Sequence, residues 1–118
     1  MDYEVRPTHY ILDDQQRPVP LPDEDLMKWA RWFGQANELR TVGWDIYAGC
    51  KISTVFLGLD HNFMDNGPPI LWETMVFGGP MDQYQQRCSG TWEQAEAMHA
   101  AVVEKVKAKM ETDHPVAK

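Results

Sequence analysis

Basic side chains are scarce in the middle of this chain. Between residues 41 and 100 there are seven Asp or Glu and only two cations, Lys51 and Arg87. Nucleic-acid binding draws its affinity from clustered Lys and Arg that displace phosphate counterions, so neither direct nucleic-acid contact nor adsorption to anionic membrane lipid is expected. The imbalance holds overall, with 18 acids against 11 bases in 118 residues and a formal net charge of −7. Residues 1–25 hold seven acids and two bases, 26–40 one and three, and 101–118 three and four. An acidic surface suits a basic protein partner, and it also keeps a small protein soluble.

Long apolar runs are missing too, and nothing approaches the twenty residues needed to span a bilayer. The opening MDYEVRPTHY has acids at positions 2 and 4 and no apolar core, so it does not read as a secretory signal, and a cytoplasmic location is expected. Cysteine is limited to Cys50 and Cys88, with no CxxC pair, which reads as two free thiols in a reducing compartment. No HxxxH, HExxH, GxGxxG, phosphate-binding loop or GxSxG occurs. The chain is therefore expected to be non-enzymatic and to carry no metal or cofactor.

What is present describes one α+β domain over residues 1–110, with a flexible tail over 111–118. Thr8 to Leu12 is β-branched, aromatic and apolar, and predicts a strand. Residues 13–22, DDQQRPVPLP, hold three prolines and predict a rigid extended connector. A helix is predicted from an N-cap at Asp23 to just before Gly43, with Leu26, Trp29, Ala30, Phe33 and Ala36 on its apolar face and Trp32 widening that face. The period then becomes extended. Strands are predicted over Val42–Tyr47, Ile52–Asp60, Ile70–Phe77 and about Gln83–Cys88, the middle two joined as an antiparallel hairpin by the loop HNFMDNGPP. Pairing Asp60 with Ile70 would set Gly58 beneath the Trp72 indole and Glu73 beside Leu57 on the other face. Thr91-Trp92-Glu93-Gln94 fits a capping box opening a helix to about Lys109, with Ala95, Met98, His99, Val102 and Val106 as its stripe. The expected architecture is an antiparallel sheet of four to five strands with two helices on one face, in the order β-α-β-β-β-β-α.

Chemistry-bearing residues gather at one place. Asp60, His61 and Asp65 lie around a strand end, where a metal or general base is one reading and turn-forming side chains the other. Glu73 reads as a carboxylate on a solvated edge or paired with Arg87, and His99 as a packed, hydrogen-bonded histidine. Five tryptophans, at 29, 32, 44, 72 and 92, cannot all be wholly buried in so small a core; with Phe63 and Met64 at a loop tip they either offer aromatic anchors for a partner or fill a two-layer core with Phe63 folded back under the loop.

The segments ISTVFLGLDHNF, GPPILWETMVFGG and TWEQAEAMH together resemble a family of small bacteriophage- and prophage-encoded proteins with no established activity. The likeness runs from about His9 to Val103, with Trp72 standing where the family pattern has Phe. It implies a phage or prophage accessory protein in a bacterial cytosol. Such proteins, as a class, bind and inhibit or redirect a host protein, including anti-defence, anti-CRISPR-like and nucleic-acid-mimic behaviour. The expected partner is thus a host protein or complex, contacted through Asp45, Asp60, His61, Phe63, Met64, Asp65 and Asp82. Alternatives are a small-molecule or nucleotide-binding protein using residues 61–69 as a lid, a metal-dependent enzyme built on Asp60, His61 and Asp65, and a virion component forming a homo-oligomer.

Overall fold

His-Tyr-Ile-Leu alternates half-buried and buried side chains and forms β1 (His9–Leu12). In the computed structural model, which describes residues 6–64 and 66–113, the chain then reverses and pairs back on itself. The expected connector over 13–22 is instead half a hairpin, with β2 (Pro18–Leu21) antiparallel to β1. Prolines fit here because two of them, spaced by two, sit opposite Leu12 and Tyr10, where the missing N–H faces outward. The Tyr10 N–H likewise points away from β2, to the Gly58 carbonyl at 2.8 Å. Asp13 organises the turn by accepting from the Gln15 and Arg17 amides at 2.8 and 2.9 Å and from Arg17 Nε at 3.1 Å.

The single helix expected from Asp23 is broken into pieces. A 3-10 turn over Asp23–Asp25 leads into α1 (Leu26–Gln35), the chain kinks at Ala36, and α2 (Asn37–Arg40) follows. Asp25, not Asp23, precedes α1, and neither α-helix has a side-chain cap bond. Gly34 and Asn37 weaken helix propensity on either side of Ala36, which leaves helical geometry (φ −107°, ψ 24°) with its methyl buried.

The antiparallel sheet is a meander of β3 (Thr41–Tyr47), β4 (Cys50–Phe56), β5 (Trp72–Phe77) and β6 (Gln85–Cys88) in that spatial order. Ala48 and Gly49, both at positive φ, close the two-residue β3–β4 turn. The expected β4–β5 register is off by two. Phe56, not Gly58, faces Trp72, with ring centroids 5.0 Å apart, and Glu73 lies beside Val55, not Leu57. A slip of two keeps every side chain on its face. Gly58 departs because its φ of 74° ends regular pairing.

Beyond that glycine the strand changes partner. Leu59 bridges His9, and Asp60 N–H reaches the Thr8 carbonyl at 2.9 Å, so β1 takes the place on β4's prolongation that β3 has left. The indole N–H of Trp29 seals the junction by donating to both Tyr10 O and Gly58 O, at 3.1 and 3.0 Å. Phe33 stacks on Trp29 at 4.7 Å and covers Gly58.

Thr91 and Gln94 form the reciprocal capping box, at 3.0 and 3.1 Å, and start α3 (Trp92–Asp113). Ala95, Met98, His99, Val102 and Val106 are all buried against the sheet. The helix runs past Lys109 into the expected tail because Met110 still packs on the core and no proline intervenes before Pro115. Residues 114–118 lie outside the described residues. α3 packs across the sheet, while α1 packs chiefly on β1 and sets Trp32 against Phe56 on the sheet face that α3 also covers.

Two outcomes follow for stability. Gly58→Val forces a β-branched residue into left-handed backbone with its Cβ 3.0 Å from Phe33; urea titration should show a loss of about 2–3 kcal/mol. Asp13 carries the second. The Arg17 amide, more than the other donors, holds its carboxyl below the usual carboxylate range. A depressed folded-state value favours folding above the unfolded pKa and loses that contribution as pH falls through the folded one. Acid titration followed at the Gln15 and Arg17 amides by NMR should show the turn loosening below the ordinary Asp range, and Asp13→Ala should abolish that step.

Candidate functional site

Asp45, a partner-contact candidate from the sequence, meets the packed His99 at the protein surface: its carboxylate is 56% exposed and the imidazole 10%. His99 sits in the apolar stripe of α3, and Gly43 in β3 lets the imidazole lie on the backbone, since a Cβ there would stand 2.7 Å from the ring. The Asp45 carboxylate only accepts, so His99 Nε2 carries the proton of their 2.7 Å bond. In the neutral ring Nδ1 then accepts from the Thr54 hydroxyl at 2.6 Å, and Thr54 in turn accepts from Thr74. This Asp-His-Thr order resembles a nucleophilic triad, but Thr54 and Thr74 are wholly buried beneath α3. No substrate reaches either hydroxyl, and the row satisfies buried polar groups between sheet and helix.

The second cluster lies beyond the Phe56–Trp72 end of the sheet, in the loop between β4 and β5. Asp60 is buried and works as the loop's anchor. Its Oδ1 accepts from the Asn62 and Ile70 amides at 2.7 and 3.0 Å, and its Oδ2 from Arg6 Nε at 2.8 Å. Asn62 repeats the pattern further out, its Nδ2 donating to Asn66 O and Pro68 O at 2.8 and 2.9 Å and its Oδ1 accepting from the Met64 amide at 3.1 Å. His61 is fixed by its 2.8 Å contact to Leu59 O. The framework holds Phe63 and Met64 out in solvent, 83% and 70% exposed. Beside them is an open cavity of about 410 Å³, lined by Arg6, Thr8, Leu59 and His61 as well as the two tip residues. Asp65 lies outside the described residues.

Asp82 is remote from this loop. It closes the β5–β6 turn by accepting from the Gly78 amide at 2.7 Å, at the end of the sheet where Lys51 pairs with Phe77. Asp45, Asp60 and Asp82 therefore do not form one acidic patch. Glu73 is paired with Arg87 at 2.6 Å. Both cysteines are free; Cys50 is buried, and burial pushes the Cys88 thiol pKa up, which keeps it protonated and unreactive. Among the described residues no group of three or more His, Cys, Asp or Glu is placed to hold a metal ion, and no helix is long and apolar enough to cross a membrane.

No protein-family model, curated protein or solved structure matches the chain. Its own surface therefore carries the functional argument.

Sequence reasoning missed one surface. The sheet face opposite α3 carries Trp44 and Ile46 from β3, Lys51, Ser53 and Val55 from β4, and Glu73, Met75 and Phe77 from β5. Trp44, Ile46 and Phe77 are 54%, 61% and 40% exposed. The signal was present in β5, where Met75 and Phe77 alternate with the buried Thr74 and Val76. Apolar residues at both parities of a strand indicate two faces in need of cover.

The buried row makes a quantitative prediction. Thr54→Val strands both the His99 Nδ1 acceptor and the Thr74 donor, and should cost about 2 kcal/mol in urea titration. Adding Thr74→Val removes the stranded donor, so the double variant should be clearly more stable than the sum of the two single losses implies.

Proposed function

We propose that this chain is a non-enzymatic binding protein that engages a partner protein through the Phe63–Met64 loop tip. The observation that carries this reading is the exposure of two large apolar side chains on a loop whose base is tied by five hydrogen bonds to Asp60 and Asn62 and by the Arg6–Asp60 ion pair. Exposed apolar residues on a mobile loop are ordered on binding at an entropic cost, whereas a pre-organised loop avoids most of it. Aromatic anchors beside a pocket are the usual centre of binding energy in a protein interface. The cavity by Leu59 and His61 offers room for a side chain of the partner. The partner is a host protein in a bacterial cell, as the likeness to phage and prophage accessory proteins implies, and binding inhibits or redirects it.

This reading moves the contact from the acids to the loop tip. Asp45 and Asp60 have internal hydrogen-bond partners, so reversing their charge would disturb the fold before it disturbed a surface. The experiment is a tagged pull-down from host lysate with mass spectrometry, followed by calorimetry on the captured protein with wild type, Phe63→Ala, Met64→Ala and Asp82→Lys. Phe63→Ala should weaken binding by about tenfold or more with no change in melting temperature, and Asp82→Lys should change it by far less. Equal affinity of wild type and the Phe63→Ala/Met64→Ala double variant would overturn the proposal.

A further inference from the structure

We infer that the outer edge of β3 is a docking site for an extended, basic segment of a partner protein, added to the sheet as a further antiparallel strand. This edge is a different surface from the loop tip, and the inference does not rest on that reading. The β3–β4 turn fixes which backbone groups the edge offers. In a two-residue hairpin the closing pair, here Tyr47 and Cys50, is hydrogen-bonded, and bonded pairs alternate with unbonded ones. Asp45 therefore bonds Ile52, whereas Trp44 and Ile46 turn their N–H and C=O groups away from β4. The same parity holds along β4, where the Leu57 amide bonds Leu71 O on the β5 side and the Phe56 carbonyl accepts from Arg40, just ahead of β3, on the other. Among the described residues no hydrogen bond reaches the outward groups of Trp44 and Ile46. Trp44, Asp45 and Ile46 are all exposed although successive side chains point to opposite faces, so neither face folds over this edge.

The other strand edges are blunted. β6 is four residues long and polar, with Lys105 reaching Gln86 and Glu73 holding Arg87. β2 carries Pro18 and Pro20, and the outer side of β1 is taken by Leu59 and Asp60. β3 has seven residues with no proline or lysine, and its one bulge lies at its start, between Thr41 and Gly43. Long edges without such devices are templates for another strand.

Side chains select the occupant. Asp45 gives Oδ2 to His99, while its Oδ1 has no partner among the described residues. Lys107, over the Tyr47 ring, is paired with Glu104. On an added antiparallel strand the residues opposite Trp44 and Ile46 make the main-chain bonds. The residue between them faces Asp45 in an unbonded pair, where side chains approach most closely. Lys or Arg there meets the carboxylate, and apolar residues on either side lie against Trp44 and Ile46. A second copy of β3 does not fit. The register that pairs Trp44 of each copy with Ile46 of the other sets the two Asp45 carboxylates face to face, in a chain already at −7.

The test is amide NMR of the nitrogen-15-labelled full chain, titrated to about 5 mM with a capped synthetic peptide, Thr-Ser-Val-Lys-Val-Ser-Thr. The Trp44 and Ile46 signals should move saturably. Methylating both valine nitrogens of the peptide should abolish the shifts, and methylating the lysine main-chain nitrogen should leave them, as antiparallel pairing requires. A glutamate in place of the lysine should weaken binding about fivefold or more. Asp45→Asn keeps an acceptor for His99 and should melt as wild type does, and it should bring the lysine and glutamate peptides within about twofold of each other. Absence of movement at Trp44 and Ile46 overturns the inference. So does loss of binding on methylating the lysine, or equal affinity of wild type for the lysine and glutamate peptides. Shifts confined to the Phe63–Met64 loop overturn it while leaving the loop-tip reading standing. Movement of the Trp44 and Ile46 signals on concentrating the chain without peptide overturns it too, assigning the edge to a second copy.

Discussion

The structure depends on what β4 does at residue 58. Up to Val55 the strand is paired on both sides within the meander; past Gly58 its prolongation is paired with β1 on one side, while Leu57 and His61 reach Leu71 and Ile70 on the other. A strand can exchange neighbours only by bending, and left-handed backbone at a glycine supplies the bend without a side-chain clash. The bend leaves carbonyls near an aromatic cluster, and the Trp29 indole satisfies two of them with one N–H. α1 is held where it is by this contact and by the Trp32–Phe56 edge-to-face pair at 6.0 Å, with no residue of its own fully buried. One glycine and one tryptophan thereby join the small hairpin, α1 and the sheet.

Around that junction the core divides into an aromatic end and a polar middle. Phe56, Trp72 and Trp92 pack in sequence, the indole of Trp72 donating to Gly90 O at 2.9 Å just ahead of the α3 cap. Further along the same sheet face the apolar side chains give way to Thr54, Thr74 and His99, all hydrogen-bonded. Packing of aliphatic residues alone tolerates small shifts of a helix along a sheet; a directional row does not, because displacement strands buried donors. The row thus fixes α3 in its register over β4 and β5.

Much of this was legible in the sequence where the local signals were strong and agreed. The capping box, the stripe through Val106 and the β4–β5 hairpin follow from spacing and residue type within a few positions, and of the two environments read for Glu73, a solvated edge or Arg87, the structure has the second. The errors came where a distant partner overrode a local rule. Pro18 and Pro20 read as barring a strand, yet their spacing of two is compatible with an edge facing solvent. The β4–β5 register was misplaced by two because Gly58 was assigned to a regular strand, and its left-handed turn is required only by the return of β1. At the candidate site the sequence picked out Asp60, His61, Phe63 and Met64, but residue type alone does not distinguish an acid that anchors a loop from one that meets a partner.

The hydrogen bonds joining Thr8 and Tyr10 to Asp60 and Gly58 link positions about fifty residues apart in the chain, whereas the β3–β4 hairpin closes over two. Loop-closure entropy rises with the length of chain enclosed, and contacts of large sequence separation slow folding. Closing the β1 junction therefore costs more chain entropy than closing the β3–β4 turn. The Phe63–Met64 loop leaves the sheet from that junction, so its geometry rests on a long-range pairing as well as on the local β4–β5 hairpin.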